Sequence, residues 1–133
     1  MSVLLDTHFW VWWLTPSSPL SKLERGALDR AAERRELLLC PISLWEAQVL
    51  HARGRLDLPL PFRDWVSEAA DPQMIQLVPI DLPVILALDA LPGGFHGDPA
   101  DRLIVATARA HALPLATRDA AIRRSRLVKL WKP

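Results

Sequence analysis

The stretch "SVLLDTHFWVWWL", residues 2–14, decides the fold. Residues 2–6 form a short apolar run that stops at an acid, Asp6, and read as a buried strand. Residues 8–14 follow without a turn and read as a helix crowded with Phe9, Trp10, Trp12 and Trp13. A strand passing directly into a helix opens a β-α unit, and the same alternation returns along the chain. "SKLERGALDRAAERR" (21–35) is an amphipathic helix opened by a Ser21-to-Glu24 capping box, and "LLLC" (37–40) is a second strand. Helices are expected over 43–53, ending at Gly54, and over 62–70. A third strand lies at 75–80, a helix at 82–91, a long helix at 99–112 and a fourth strand at 113–117. A short helix follows in "DAAIRR", and "RLVKLW" (126–131) reads as a last strand. Such alternation predicts an α/β fold, a three-layer α/β/α sandwich around a mainly parallel sheet.

Composition bounds the class. The 133 residues are read as a single domain, 1–133, half of them apolar and 23% charged, which excludes a disordered chain. No apolar run is long enough to span a bilayer, and residues near Met1 lack the basic region of a secretory signal. The one cysteine, Cys40, is expected as a buried strand thiol, and a reducing cytoplasm is the simplest location. Charge is unevenly spread. Residues 1–101 carry eight Lys/Arg against fourteen Asp/Glu, a balance of −6, whereas residues 102–133 carry eight against Asp119 alone, a balance of +7. An acidic body beside a basic end is compatible with holding a metal and attracting a polyanion.

In open parallel sheets, ligands bind beyond the C-terminal ends of the strands. Asp6 follows the first strand, Glu46 sits in the first turn of the helix after the second, and Asp119 lies just past the fourth. Asp98 and Asp101 open the long helix, next to the glycine-rich "PGGFHGDP". Each acid has a plain alternative as a helix cap: Ser43 to Glu46 matches a capping box, and Asp98-Pro99 matches an N-cap with proline at N1. Capping alone does not require acids from several strands to converge. Convergent carboxylates without matching Lys or Arg repel one another unless a divalent cation sits between them. Oxygen donors of this kind suit Mg²⁺ or Mn²⁺. The histidines (His8, His51, His96, His111) lack zinc spacing, with His96 placed to line the site. No Walker lysine motif, GxGxxG or Ser-His-Asp order is present.

The segments "LLDTHFWVWWL", "ISLWEAQVL" and "HGDPADRLIVATARAHALPLATRD", in this order, resemble the PIN-domain ribonucleases, and more narrowly the VapC-type toxins of bacterial toxin–antitoxin pairs. The resemblance runs over nearly the whole chain, and "HGDPADRLIVATA" followed by "LATRD" is its most specific part. It implies an α/β/α sandwich and an Mg²⁺- or Mn²⁺-dependent endoribonuclease acting on structured RNA such as tRNA or ribosomal RNA. It further implies a homodimer neutralised by a cognate antitoxin. Carried over by motif, Asp6, Glu46, Asp101 and Asp119 are the catalytic acids, with Asp6, Asp101 and Asp119 on the metal. Asp98 matches a second acid of the "HxDPxDR" subgroup, and Thr7, Ser43 and Thr117 match polar neighbours that orient the acids. Our own reading of the charges adds Arg102, Arg118 and the Arg123-Arg124-Arg126 group as RNA-backbone contacts, with His96 beside them.

The indoles of residues 9–13 spread around their whole helix, too many for one core-facing stripe. They are expected to divide between the core and a surface that meets a second protomer or the antitoxin. Two other classes compete. A catalytically silent α/β binding module would use the acids only as caps and the basic end for nucleic acid or a protein. A haloacid-dehalogenase-like phosphatase needs an acid two residues after Asp6, where this chain has His8.

Overall fold

The computed structural model describes all residues from Met1 to Pro133. Four short strands, β1 (Val3–Leu5), β2 (Leu37–Leu39), β3 (Gln76–Leu77) and β4 (Leu115–Ala116), form one sheet of order β3-β2-β1-β4. Every pairing is parallel: Leu4 lies opposite both Leu38 and Leu115, and Leu38 opposite Gln76. Seven helices complete the chain: α1 (Thr7–Trp13), α2 (Lys22–Glu33), α3 (Ile42–Ala52), α4 (Phe62–Ala69), α5 (Leu82–Asp89), α6 (Pro99–Ala110) and α7 (Ala120–Ser125). The α/β class and the parallel sheet are those expected from the alternation.

Strand β1 shows why the fold has three layers. All three of its residues are buried, and successive side chains point to opposite faces of the sheet. Val3 and Leu5 enter one core with Trp10, Leu28, Leu37, Leu39 and Trp65. Leu4 enters the other, with Ile104, Val105, Leu115 and Ile122. Helices α1, α2 and α4 thus cover one face, while α6 and α7 cover the other. After β2 and β3 the chain crosses back over β1 to lay β4 on its far side. The strand order reverses there, and in parallel sheets that opens a crevice beyond the strand ends.

The aromatics of the helix pack against one core and do not divide between a core and a bare surface. Phe9, Trp10 and Val11 are buried, and the Trp10 Nε1–H donates to the Ala69 carbonyl at 2.9 Å. Trp12 and Trp13 are half-buried against the same core, with Trp13 Nε1–H donating to Asp29 at 2.8 Å. No aromatic of α1 is fully exposed; the bare indole of the molecule is Trp45 on α3, 56% exposed. The Ser21–Glu24 capping box is present at α2. Cys40 is buried directly after β2, where burial pushes its thiol up from the ordinary value.

Every strand is shorter than the apolar pattern predicts, residues 75–80 and 126–131 most of all. Of residues 75–80 only Gln76–Leu77 pair as a strand; Val78 N–H still reaches Leu39, and Pro79, without an N–H, ends the ladder. Of residues 126–131 only Leu130 pairs, in a parallel bridge to Leu115 flanked by bonds through Lys129 and Trp131. Arg126 adopts a left-handed φ of 57° at the end of α7, so the segment leaves the helix through a turn and meets the sheet late.

Candidate active site

Asp6 is fixed by the strand before it and the helix after it. It caps α1, one oxygen accepting the Thr7 N–H at 2.7 Å, and the other oxygen accepts the Thr117 hydroxyl at 2.6 Å. Thr117 Oγ1 also accepts the Asp119 N–H at 3.0 Å, so one hydroxyl ties the ends of β1 and β4 together. Asp119 caps α7 through Ile122 N–H, and Asp98 caps α6 through Asp101 N–H with Pro99 at the first helical position. Capping and convergence are therefore compatible, because each carboxylate oxygen has two lone pairs and a capping bond uses only one of them.

Glu46 and Asp101 are different. The Ser43–Glu46 capping box expected from the sequence is absent: the N-cap of α3 is Pro41, with no side-chain capping bond. Proline at residue 41 starts the helix two residues early and carries Ser43 inside it. Buried there, the Ser43 hydroxyl bonds the Thr7 hydroxyl at 2.8 Å and braces α3 against α1. Glu46 points inward, and its Oε1 is buried without a hydrogen-bond partner. Asp101 caps nothing; its Oδ2 lies 2.5 Å from His96 Nε2. Donor atoms of His96, Asp101 and Asp119 all lie within 4.8 Å of one another. Asp6 stands outside that tight group, yet its charge helps raise the carboxyls of Asp101 and Glu46, and the charge of Asp119 helps raise its own.

No Lys or Arg pairs with any of these acids. Burial raises the Asp6 carboxyl above its ordinary value, the Thr117 and Thr7 bonds offsetting part of the rise. Burial likewise raises Glu46, with the charges of Asp6 and Asp98 adding to it. Asp101 is pushed up to about 6 by burial, against the His96 bond and with help from Asp6, Asp98 and Asp119. The donor set is mostly hard oxygen, it repels itself, and it leaves one buried oxygen orphaned. Those are the properties of a site that a divalent cation would relieve.

The cations named from the sequence lie elsewhere. Arg102 straps the glycine-rich loop, donating to the carbonyls of Phe95 and His96 at 3.4 and 3.5 Å. Arg118 is ion-paired with Glu24 at 2.6 Å, its guanidinium carbon 5.4 Å from the Phe9 ring centre and 5.6 Å from that of Trp12. His96, expected to line the site, bonds Asp101 within it. Its signal was the "FHGD" spacing, which brings a loop imidazole back over the first turn of α6.

A PIN domain family model matches residues 3–126. Ribonuclease VapC22 of Mycobacterium tuberculosis is 37% identical over 125 residues, covering 94% of this chain and 92% of that protein. Among solved structures, VapBC2 from Rickettsia felis, bound to a DNA fragment from their promoter, superposes with TM-score 0.73 at 15% identity over 98% of each chain. FitAcB from Neisseria gonorrhoeae superposes with TM-score 0.68 at 25% identity, over 98% of this chain and 97% of that one. The sequence match and the shared fold lead to one assignment: the chain belongs to the PIN-domain family, within its VapC-type branch.

Proposed function

We propose that this protein is a divalent-cation-dependent endoribonuclease, the toxin of a toxin–antitoxin pair, acting in the cytoplasm on structured RNA such as tRNA or ribosomal RNA. The observation that carries the reading is a set of mutually repelling carboxylates, Asp101 and Asp119 in one tight group with His96 and the charge of Asp6 acting on Asp101 and Glu46, with no Lys or Arg paired to them and Glu46 Oε1 unpartnered. Asp6, Asp101 and Asp119 would hold Mg²⁺ or Mn²⁺, with Glu46 beside them and Asp98 behind. A cation bound there supplies a water of lowered pKa and charge against the leaving oxygen. The chain's own part is to keep its carboxylates in place. Thr117 and the Thr7 N–H hold Asp6 on a rigid strand end, Thr7 and Ser43 fix α3 and with it Glu46, and His96 orients Asp101.

The binding-module reading draws on the caps made by Asp6, Asp98 and Asp119. It has no use for Glu46, which caps nothing and leaves a buried Oε1 unpartnered at a cost in stability. The two readings separate on Asp6→Asn. Asn caps about as well as Asp, so a mere cap tolerates the change. As a metal ligand, Asp6 replaced by Asn should lower Mn²⁺-dependent cleavage of total RNA by orders of magnitude while the circular dichroism spectrum persists. A folded Asp6→Asn protein cutting at the wild-type rate ends the nuclease reading.

We place the protein contact on a different surface from α1. Leu77, Ile80, Leu82, Ile85 and Leu86 are all exposed along β3 and α5, an apolar stretch of the kind that marks an interface. It fits a second copy of the chain, with the antitoxin as the other partner of the dimer. Leu82→Asp with Leu86→Asp should give a monomer by sedimentation; an unchanged dimer would move the contact elsewhere.

A further inference from the structure

The basic residues of the chain find a place that the carboxylate site does not use. A cavity of about 630 Å³ opens at the N-terminal edge of the sheet, lined by Arg30 and Arg34 of α2 and by Lys129, Trp131 and Lys132 of the C-terminal segment. A second cavity of about 410 Å³ is lined by Phe9, Glu24, Thr117, Arg118, Arg123 and Trp131. Trp131 belongs to both, so the two are neighbours across one indole. Thr117, whose hydroxyl holds Asp6 at 2.6 Å, brings the second cavity up to the carboxylate site. Arg118, Arg123 and Trp131 thus lie in sequence between the acids and the far edge of the sheet.

The charges along this line are unbalanced. Its acids are already engaged, Glu24 with Arg118 and Glu36 with the N-terminal amine. Arg123 donates to the Thr117 carbonyl at 2.9 Å. Arg30, Arg34, Lys129 and Lys132 form no ion pair, and all four are exposed. The negative end of the α2 dipole accommodates Arg30 and Arg34, but it does nothing for Lys129 and Lys132, which come from a different segment. What does bring them together is the bridge of Leu130 to Leu115, which docks the C-terminal segment beside β4.

We propose that this cleft is a second RNA-backbone site. The strand flanking the cut phosphate leaves the carboxylates past Arg118 and lays its phosphates against Lys129, Lys132, Arg30 and Arg34. Trp131 forms the apolar wall along which a base packs. Cations in a groove with an aromatic wall are the usual equipment for a single strand, and strands of three residues put the two edges only about 10 Å apart. The inference rests on the ribonuclease reading and gives it a direction: substrate runs around the β4 edge and requires several nucleotides on one side of the cut.

The test uses the full chain carrying Asp6→Asn, so that bound RNA stays whole. Fluorescence anisotropy of a labelled single-stranded RNA of about 20 nucleotides is followed across KCl concentrations. Lys129→Ala with Lys132→Ala should weaken binding about tenfold at low salt. It should also reduce the slope of log affinity against log salt by about 1.4, at roughly 0.7 per lost phosphate contact. Lys129→Arg with Lys132→Arg should restore both, which a fold defect would not allow. A trinucleotide RNA, too short to reach the cleft, should bind both proteins equally. Unchanged slope and affinity for the long RNA overturn the proposal, as does a poly-glutamate peptide that binds the cleft more tightly than RNA and displaces it. Failure of the nuclease reading looks different: the Asp6-intact protein would then cut no RNA, whatever the slopes.

Discussion

At the C-terminal ends of the strands Asp6, Glu46, Asp101 and Asp119 have no Lys or Arg paired to them; at the N-terminal ends Arg30, Arg34, Lys129 and Lys132 have no acid paired to them, since Glu36 is taken by the N-terminal amine. The two edges differ in more than sign. The acids are buried or half-buried, so their like charges meet in a poor dielectric, and the carboxyls of Asp6, Glu46 and Asp101 are pushed up. The cations are exposed, water and salt screen them, and they coexist at little cost. An edge that stores repulsion must be answered by a counter-ion at the site itself. A screened edge answers to a polyanion arriving from outside.

The largest effect should come from breaking the acidic edge where nothing else depends on the side chain. Asp101 caps no helix, and its one partner is His96. Asp101→Asn keeps the shape and removes a charge, so RNA cleavage should fall at least about a hundredfold, a loss of roughly 3 kcal/mol in transition-state stabilisation. Metal-free Asp101→Asn should melt higher than the wild type, because one of the repelling carboxylates is gone. Cleavage that survives the change would place the reaction away from this edge.

Next in size is a pH dependence. The folded Asp101 carboxyl lies at about 6 against an ordinary 3.8. Between those values the folded state holds a proton that the unfolded chain has released. The contribution of this group is thus most favourable below about pH 4, is lost as pH rises to about 6, and is flat above. Solvent reaches part of the carboxyl and screens it, so the span is on the order of 1–2 kcal/mol. Paired carboxylates elsewhere, such as Glu24, whose carboxyl is lowered, titrate with the opposite sign. The quantity to measure is therefore the stability of Asp101→Asn minus that of wild type, without metal, by urea unfolding from pH 3.5 to 7.5. It should grow between pH 4 and 6 and then level off, and millimolar Mn²⁺ should shrink it. A difference that is flat across this range would remove the repulsion on which the comparison of edges depends.

How much of these edges the sequence reveals depends on whether a residue's neighbours lie in its own segment. Asp6 is legible because a short apolar strand ending in an acid is a local pattern, and the same holds for Asp98-Pro99 and for the Ser21–Glu24 box. Glu46 is legible as an acid, but Pro41 takes over the cap and turns the side chain inward, a local competition that the Ser-x-x-Glu spacing hides. The basic cleft is hidden more thoroughly. Arg30 and Arg34 belong to the part of the chain with an acidic balance, so a split of charge along the sequence separates them from Lys129 and Lys132. They meet only because a single bridge, Leu115 to Leu130, docks residues 129–132 beside β4. The indoles of α1 were ambiguous for a related reason. Apolar residues on every side give no stripe to orient, and the choice falls to α4, which receives Trp10, and to Asp29, which receives Trp13.

The smallest expected effect sits where the two edges join, at the Arg118–Glu24 pair. Glu24 does two jobs: its Oε1 accepts the Ser21 N–H at 2.8 Å, closing the capping box, and it accepts from Arg118 at 2.6 Å. Gln closes a capping box as Glu does, so Glu24→Gln leaves the helix start intact and removes only the charge facing Arg118. Arg118 is 39% exposed, which limits the pair to about 0.5–1 kcal/mol. The guanidinium keeps its seat over Phe9 and Trp12 after the change. Stability should therefore drop by less than about 1 kcal/mol. RNA affinity should move the other way, rising two- to fourfold at low salt, because an unpaired cation then faces the path from the carboxylates to the cleft. Arg118→Ala in the same background should cancel that gain. If Glu24→Gln instead weakens RNA binding, the pair is a brace that shapes the path, and the passage beside Thr117 is structural.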